Sequence, residues 1–208
     1  MPSAVEISRL ALAHIADAAR VNSINPPDNT IQAQHCATFY PIARDEALEA
    51  YPWPFALKVA ALVPSLVTPP DGEWAFVYQL PSDFIRALRV VPPGAHKDHP
   101  GTDYVIRSDE TELDLLLFTN TPEARLHYIF REEETGRYSP LFVTALSYLL
   151  GSYLAGPILK GRVGMQVKES LLSAYTQLID RAATRALGSS GQRAENYAGH
   201  KPIWISDR

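Results

Sequence analysis

Three clusters in this 208-residue sequence carry side chains that could do chemistry. His35 and Cys36 are neighbours. A thiolate–imidazole pair needs its two groups within hydrogen-bond reach, and adjacent residues on a helix point about 100° apart. Cys36 therefore reads as a small core residue. His96 and His99 lie close together in "HKDH". A metal site usually takes three or four ligands, and only Asp98 or Asp103 stands nearby as a third. Asp109, Glu110, Glu112 and Asp114 crowd one short stretch. Paired carboxylates are the machinery of glycoside hydrolysis, and a solvated turn accounts for these four as simply. The sequence has no P-loop, no G-x-S-x-G and no dinucleotide fingerprint. Its aromatics alternate with apolar residues rather than with Lys or Arg, so they read as core and not as a platform for stacked bases. No catalytic, cofactor-binding or metal-binding residue is assigned on this reading.

The elements that must hold these residues follow from periodicity. Ser3 and Glu6 form a capping-box pattern, and Ile7, Leu10, Ala11, Ile15 and Ala18 continue at helical spacing over about 4–19. Asp28 or Asn29 is placed to cap a second helix, which Pro41 should kink or split. "YPWPFALKVAALV" is read as a third, shorter helix. The period then changes to two. "WAFVYQLP", "IRALRVVP", "DYVIR", "LDLLLF" and "ARLHYIF" read as strands separated by Pro, Gly, Asp and Asn. Ser139 caps a helix with Pro140 at its first position. "GPILKGRVG" reads as a break, and a last helix is expected over about 165–187, closed by Gly188. The expected fold is α+β: a helical bundle with a small antiparallel β region inserted. Its parts are helices over 1–73, the β insertion over 74–131, long helices over 132–187 and an extended arm over 188–208.

Composition narrows the function classes. Hydrophobic residues make up 46% and charged residues 20%, which is globular rather than disordered. With one cysteine, the chain cannot form an internal disulfide, which suits assembly inside a cell. The start carries Glu6, Arg9 and His14 within its apolar pattern, unlike a signal peptide. "LFVTALSYLLGSYLAGPIL" has nearly the length of a membrane span, but its Ser, Tyr, Gly and Pro content favours a buried helix. Residues 1–159 hold 11 Lys and Arg against 19 Asp and Glu, while residues 160–208 hold 8 against 4. The C-terminal part is thus basic, through either scatter in composition or a need to meet an acidic partner.

Read in order, "EISRLALAHI", "INPPD", "RDEALEAYPW", "YQLPSDFIRALRV" and "LHYIFREEETGRYSPLFVTALSYLLGSYLAGPI" resemble the tail tubular protein A family. Its members are the head-to-tail adaptors of podovirus-type bacteriophages. The resemblance runs over about 6–198 and rests on order and spacing rather than on any single motif. Pro54 departs from it, since a polar residue is expected between Trp53 and Phe55. The resemblance implies a structural virion protein with no enzymatic activity, no cofactor and no membrane contact. It implies a homo-oligomeric ring, expected to be a dodecamer, beneath the portal protein at the head–tail junction. The ring would join the portal to a downstream tail (nozzle) protein. Genomic DNA would pass through its lumen without sequence-specific binding. The rival reading is a virion-associated glycan hydrolase using Asp109, Glu110, Glu112 and Asp114. A soluble DNA-binding module is a second rival.

On the adaptor reading, "YPWPF" shapes the subunit. Pro52 stops the second helix, and Trp53 and Phe55 anchor the junction of helices and sheet, where truncating a buried Trp costs roughly 3–5 kcal/mol. Trp74 and the Pro81–Asp83 corner are further structural anchors. The arm ends in Pro202, Ile203, Trp204 and Ile205. These are expected to dock on the portal or on a neighbouring subunit as an added strand, the alternative being that the arm folds back on its own bundle.

Overall fold

The computed structural model describes residues 2–69, 72–96, 98–108 and 115–189. The first helix, α1 (Ala4–His14), opens with the expected box: Glu6 N–H donates to Ser3 Oγ, and Ser3 N–H donates to Glu6 Oε2. It ends earlier than the apolar spacing suggests. Ala16 takes a left-handed φ of 58°, and the N–H groups of Ala16 and Asp17 close back on the Ala13 and Leu12 carbonyls. That is a Schellman stop, made here without glycine. The second helix, α2 (Ile31–Ala50), is capped by Thr30, not by Asp28 or Asn29. Asp28 instead accepts from both the N–H and the hydroxyl of Thr30 and from Asn22 N–H, which hold its carboxyl down to about 2. Pro41 does not split α2. It lies on the exposed side, where water can serve the carbonyl that the missing donor leaves.

Among the described residues the chain forms four α-helices and two antiparallel sheets, the expected α+β class. It divides into two units. One combines Met1–Phe55 with Glu132–Ala186, and the other is built on Ala56–Arg131. The insertion thus begins well before residue 74, because the third helix does not exist. A short 3-10 turn over Pro54–Ala56 leads into strand β1 (Leu57–Ala61), and β2 (Val63–Pro64) follows. Pro64 pushes Val63 to extended backbone. The backbone groups of β1 are paired by β7 (Arg125–Phe130), from the far end of the insertion. A short apolar run does not distinguish helix from strand, and a distant partner decided it.

The remaining strands lie where alternation put them: β3 (Phe76–Gln79), β4 (Phe84–Val91), β5 (Tyr104–Ser108) and β6 (Leu115–Thr119). They form a three-stranded sheet, β1-β7-β4, and a four-stranded sheet, β2-β3-β6-β5. Leu126, Tyr128 and Phe130 of the first meet Tyr78 and Leu117 of the second, with Leu62, Val90 and Ala124 completing the core.

In the helical unit, α3 (Pro140–Leu159) holds no charged residue, and Phe142, Leu146, Leu149, Leu150 and Leu154 are fully buried. By length and composition α3 could cross a membrane, and 56% of its apolar window is buried inside the protein. A Cβ on Gly151 would sit 3.2 Å from the Ala11 carbonyl oxygen and 3.2 Å from Leu171 Cδ1, so α1 and the last helix both approach α3 there. The expected break after α3 shrinks to Lys160, at φ 55°. Helix α4 (Gly161–Ser189) then starts before residue 165 and runs through Gly188.

Candidate interaction surfaces

Trp53 is 2% exposed, and its indole N–H donates to the Ala47 carbonyl at 2.8 Å. Tyr51 N-terminal to Pro52 turns to extended backbone and closes α2. Trp53 then stands edge-on to Phe142 with centroids 5.1 Å apart, and Phe55 packs on Phe142 and Tyr138. The two expected anchors therefore hold together the helical unit itself, locking the end of α2 to the start of α3. Tyr138 donates its hydroxyl to the Glu132 carbonyl at 2.7 Å and completes this cluster.

Asp83 anchors the β unit. Its carboxylate accepts from Lys58 Nζ at 2.7 Å and from the Tyr128 hydroxyl at 3.0 Å, and its carbonyl accepts from Arg131 N–H. The Pro81 carbonyl accepts from Phe84 N–H and makes the corner. Burial pushes the Asp83 carboxyl up, but the bonds from Lys58 and Tyr128 outweigh it and leave the pKa lowered. Burial and the Asp83 carboxylate push the Tyr128 phenol up to about 12. Lys58 also sits 3.7 Å above the Phe130 ring. Lys58 was not legible as part of this site, because its segment reads as helix. Trp74 packs on the outer face of the four-stranded sheet, against Val77, Leu116 and Phe118.

Among the described residues, those singled out for chemistry are not brought together. Cys36 is fully buried, and burial pushes its thiol up to about 11, away from the thiolate a nucleophile needs. His35 stacks on Phe39 instead. His96 Nδ1 lies 3.2 Å from Asp98 in an exposed pair, and His99 Nδ1 accepts from Gly101 N–H. No group of three His, Cys, Asp or Glu suited to a metal occurs among the described residues. Asp109, Glu110, Glu112 and Asp114 lie outside the described residues, as do Pro202, Ile203, Trp204 and Ile205.

Two surfaces of the helical unit were missed by the sequence reading. Ile31, Thr38, Ile42, Asp45, Glu46 and Glu49 repeat at intervals that share one side of α2. Ile31 is 67% and Ile42 54% exposed. Glu46 accepts a hydrogen bond from the Tyr153 hydroxyl, while Glu49 projects into solvent. The second surface is the α3–α4 turn. Lys160 and Arg162 are exposed there beside Val163 and Met165, which are 60% and 64% exposed. The ion pairs among the described residues involve neither cation. The signal was present for α2, since its apolar residues mark two opposite stripes. No protein-family model matches the sequence, and no curated protein matches it.

Proposed function

We propose that the chain is a structural head-to-tail adaptor of a bacteriophage virion. It would form a ring beneath the portal that connects the capsid to the tail and continues the DNA channel. The observation that supports this reading is the set of outward helix surfaces carrying large apolar side chains: Ile31 and Ile42 on α2, and Val163 and Met165 at the α3–α4 turn. A lone exposed Leu or Ile is ordinary, but apolar residues grouped on two faces of one helical unit suit repeated subunit contacts. A contact between unlike faces closes into a ring when the rotation allows it. The buried thiol of Cys36 fits a mechanism made of interfaces rather than covalent chemistry. The portal and a downstream tail protein are the proposed partners, with DNA passing through the lumen.

The test is to mix the purified chain with portal-bearing, tailless capsids and image the particles. A ring of added density at the portal vertex is the expected outcome. Capsids that sediment without the chain would overturn the adaptor reading. Clearing of a cell-wall glycan by the purified chain would favour the hydrolase instead.

A further inference from the structure

The α2 face and the α3–α4 turn are opposites in charge and alike in apolar content. The α2 face places Ile42 among Asp45, Glu46 and Glu49, and no Lys or Arg lies in that row. The turn places Val163 and Met165 beside Lys160 and Arg162, and no acidic residue falls between Lys160 and Lys168. The first turn of α4 likewise holds no acidic residue, whereas α1 carries Glu6 there. The C-terminal end of α3 lies at the same turn and its negative pole offsets the positive pole of α4, so the positive charge here is that of Lys160, Arg162 and Lys168.

The two surfaces are held apart within one chain. Trp53 bonds to Ala47 and packs on Phe142, which fixes the end of α2 at the start of α3. Lys160 closes the other end of α3, about 27 Å beyond Phe142 along the axis at 1.5 Å per residue, and Glu46 at the edge of the α2 face reaches α3 no farther than Tyr153. Met165 shares a side of α4 with Arg162, three residues before it, and Ile42 shares a side of α2 with Asp45 and Glu49, so each surface sets one exposed apolar side chain among charges, the arrangement of a protein–protein contact. A nucleic-acid backbone would match the cations but leave Met165 without a partner.

We propose that the α3–α4 turn of one copy docks on the α2 face of the next. Met165 lies against Ile42, and Lys160 and Arg162 pair with Asp45 and Glu49. The contact is heterologous, so each copy offers both halves. It rests on the adaptor reading in taking the partner to be a second copy of this chain.

The experiment measures self-association of the full chain by sedimentation, at low and high salt. Two variants are compared with the parent: Lys160→Glu with Arg162→Glu, and Asp45→Lys with Glu49→Lys. A third chain combines all four substitutions. Each reversed pair should weaken association about tenfold or more, because like charges then face each other. The four-fold variant should recover most of the loss, and salt should weaken the parent. Circular dichroism of each variant checks that the fold persists; the Lys160 and Arg162 pair carries the test if the Asp45 change disturbs α2 through its bond to Arg44. A parent that stays monomeric at every concentration, or reversed variants that associate like the parent, would overturn the contact. So would loss of binding to a labelled DNA duplex on reversal at the turn, with self-association unchanged. The capsid-binding assay separates the two readings. Capsid binding with no effect of charge reversal sinks this contact and leaves the adaptor reading standing.

Discussion

The helical unit and the β unit are stabilised in different ways. In the helical unit the organising features are local: Ser3, Thr30 and Ser139 cap their own helices, and Trp53 bonds six residues back to Ala47. Its long-range order comes from the charge-free α3, against which α1 and α2 pack and which Leu171 of α4 reaches at Gly151. In the β unit the organising features are distant in sequence. Asp83 gathers Lys58, Tyr128 and Arg131, and β1 depends on β7 for its hydrogen bonds. Apolar burial is non-directional and roughly proportional to area, whereas a carboxylate shared by two strands requires a particular register.

The largest expected effect tests the apolar side of this contrast. Leu146→Asp or Leu149→Asp buries an unpaired charge in α3, where both leucines are fully buried. Neither variant should give soluble folded protein. Normal yield with an unchanged melting temperature for both would show that α3 is not the centre of the core.

A smaller effect is expected from Asp83→Ala. It leaves Lys58 and the hydroxyl of Tyr128, a core residue, without their acceptor, at a cost of about 1–3 kcal/mol. Amide exchange should quicken in β1, β4 and β7 and stay unchanged in α3. Equal quickening in both units would erase the distinction drawn between them. Because the Asp83 carboxyl is lowered in the folded chain, its contribution is present above the ordinary value of 3.8 and is lost as pH falls through the lowered one. The parent and Asp83→Ala should therefore converge in stability in strong acid.

The smallest effect is a pH dependence with one histidine in each unit. His14 stacks on Tyr148 at 4.2 Å and lies 3.0 Å from Ser147 Oγ, and burial holds its pKa below 6.5. His127 is lowered by burial and then by Arg89 and Arg125. The unfolded chain takes up these protons more readily than the folded one, so stability should decline as pH falls below 6.5. His14→Gln should flatten the decline for helical amides, and His127→Gln for strand amides. An unaltered pH profile in both variants would remove the histidines from the account.

Much of this architecture was legible because it is written locally. Caps precede apolar periodicity at α1 and α3, and alternation marks β3 to β7. The candidate surfaces were less legible. The two stripes of α2 are both apolar in sequence, and nothing in their spacing says which one faces solvent. Lys58 and Asp83 lie far apart along the chain, so neither names the other.

By itself the sequence determined where α1 and α3 begin, that α3 must be buried and that a β insertion separates the helical segments, because capping and periodicity act within a few residues. Only the tertiary structure decided that 57–61 is a strand, that Pro41 leaves α2 whole, and that Ile31 and Ile42 face outward. In each case the free energy depends on surroundings that the local sequence does not specify. Strand β1 is completed by β7, Pro41 is tolerated where water replaces its donor, and the buried stripe of α2 is the one that α3 covers.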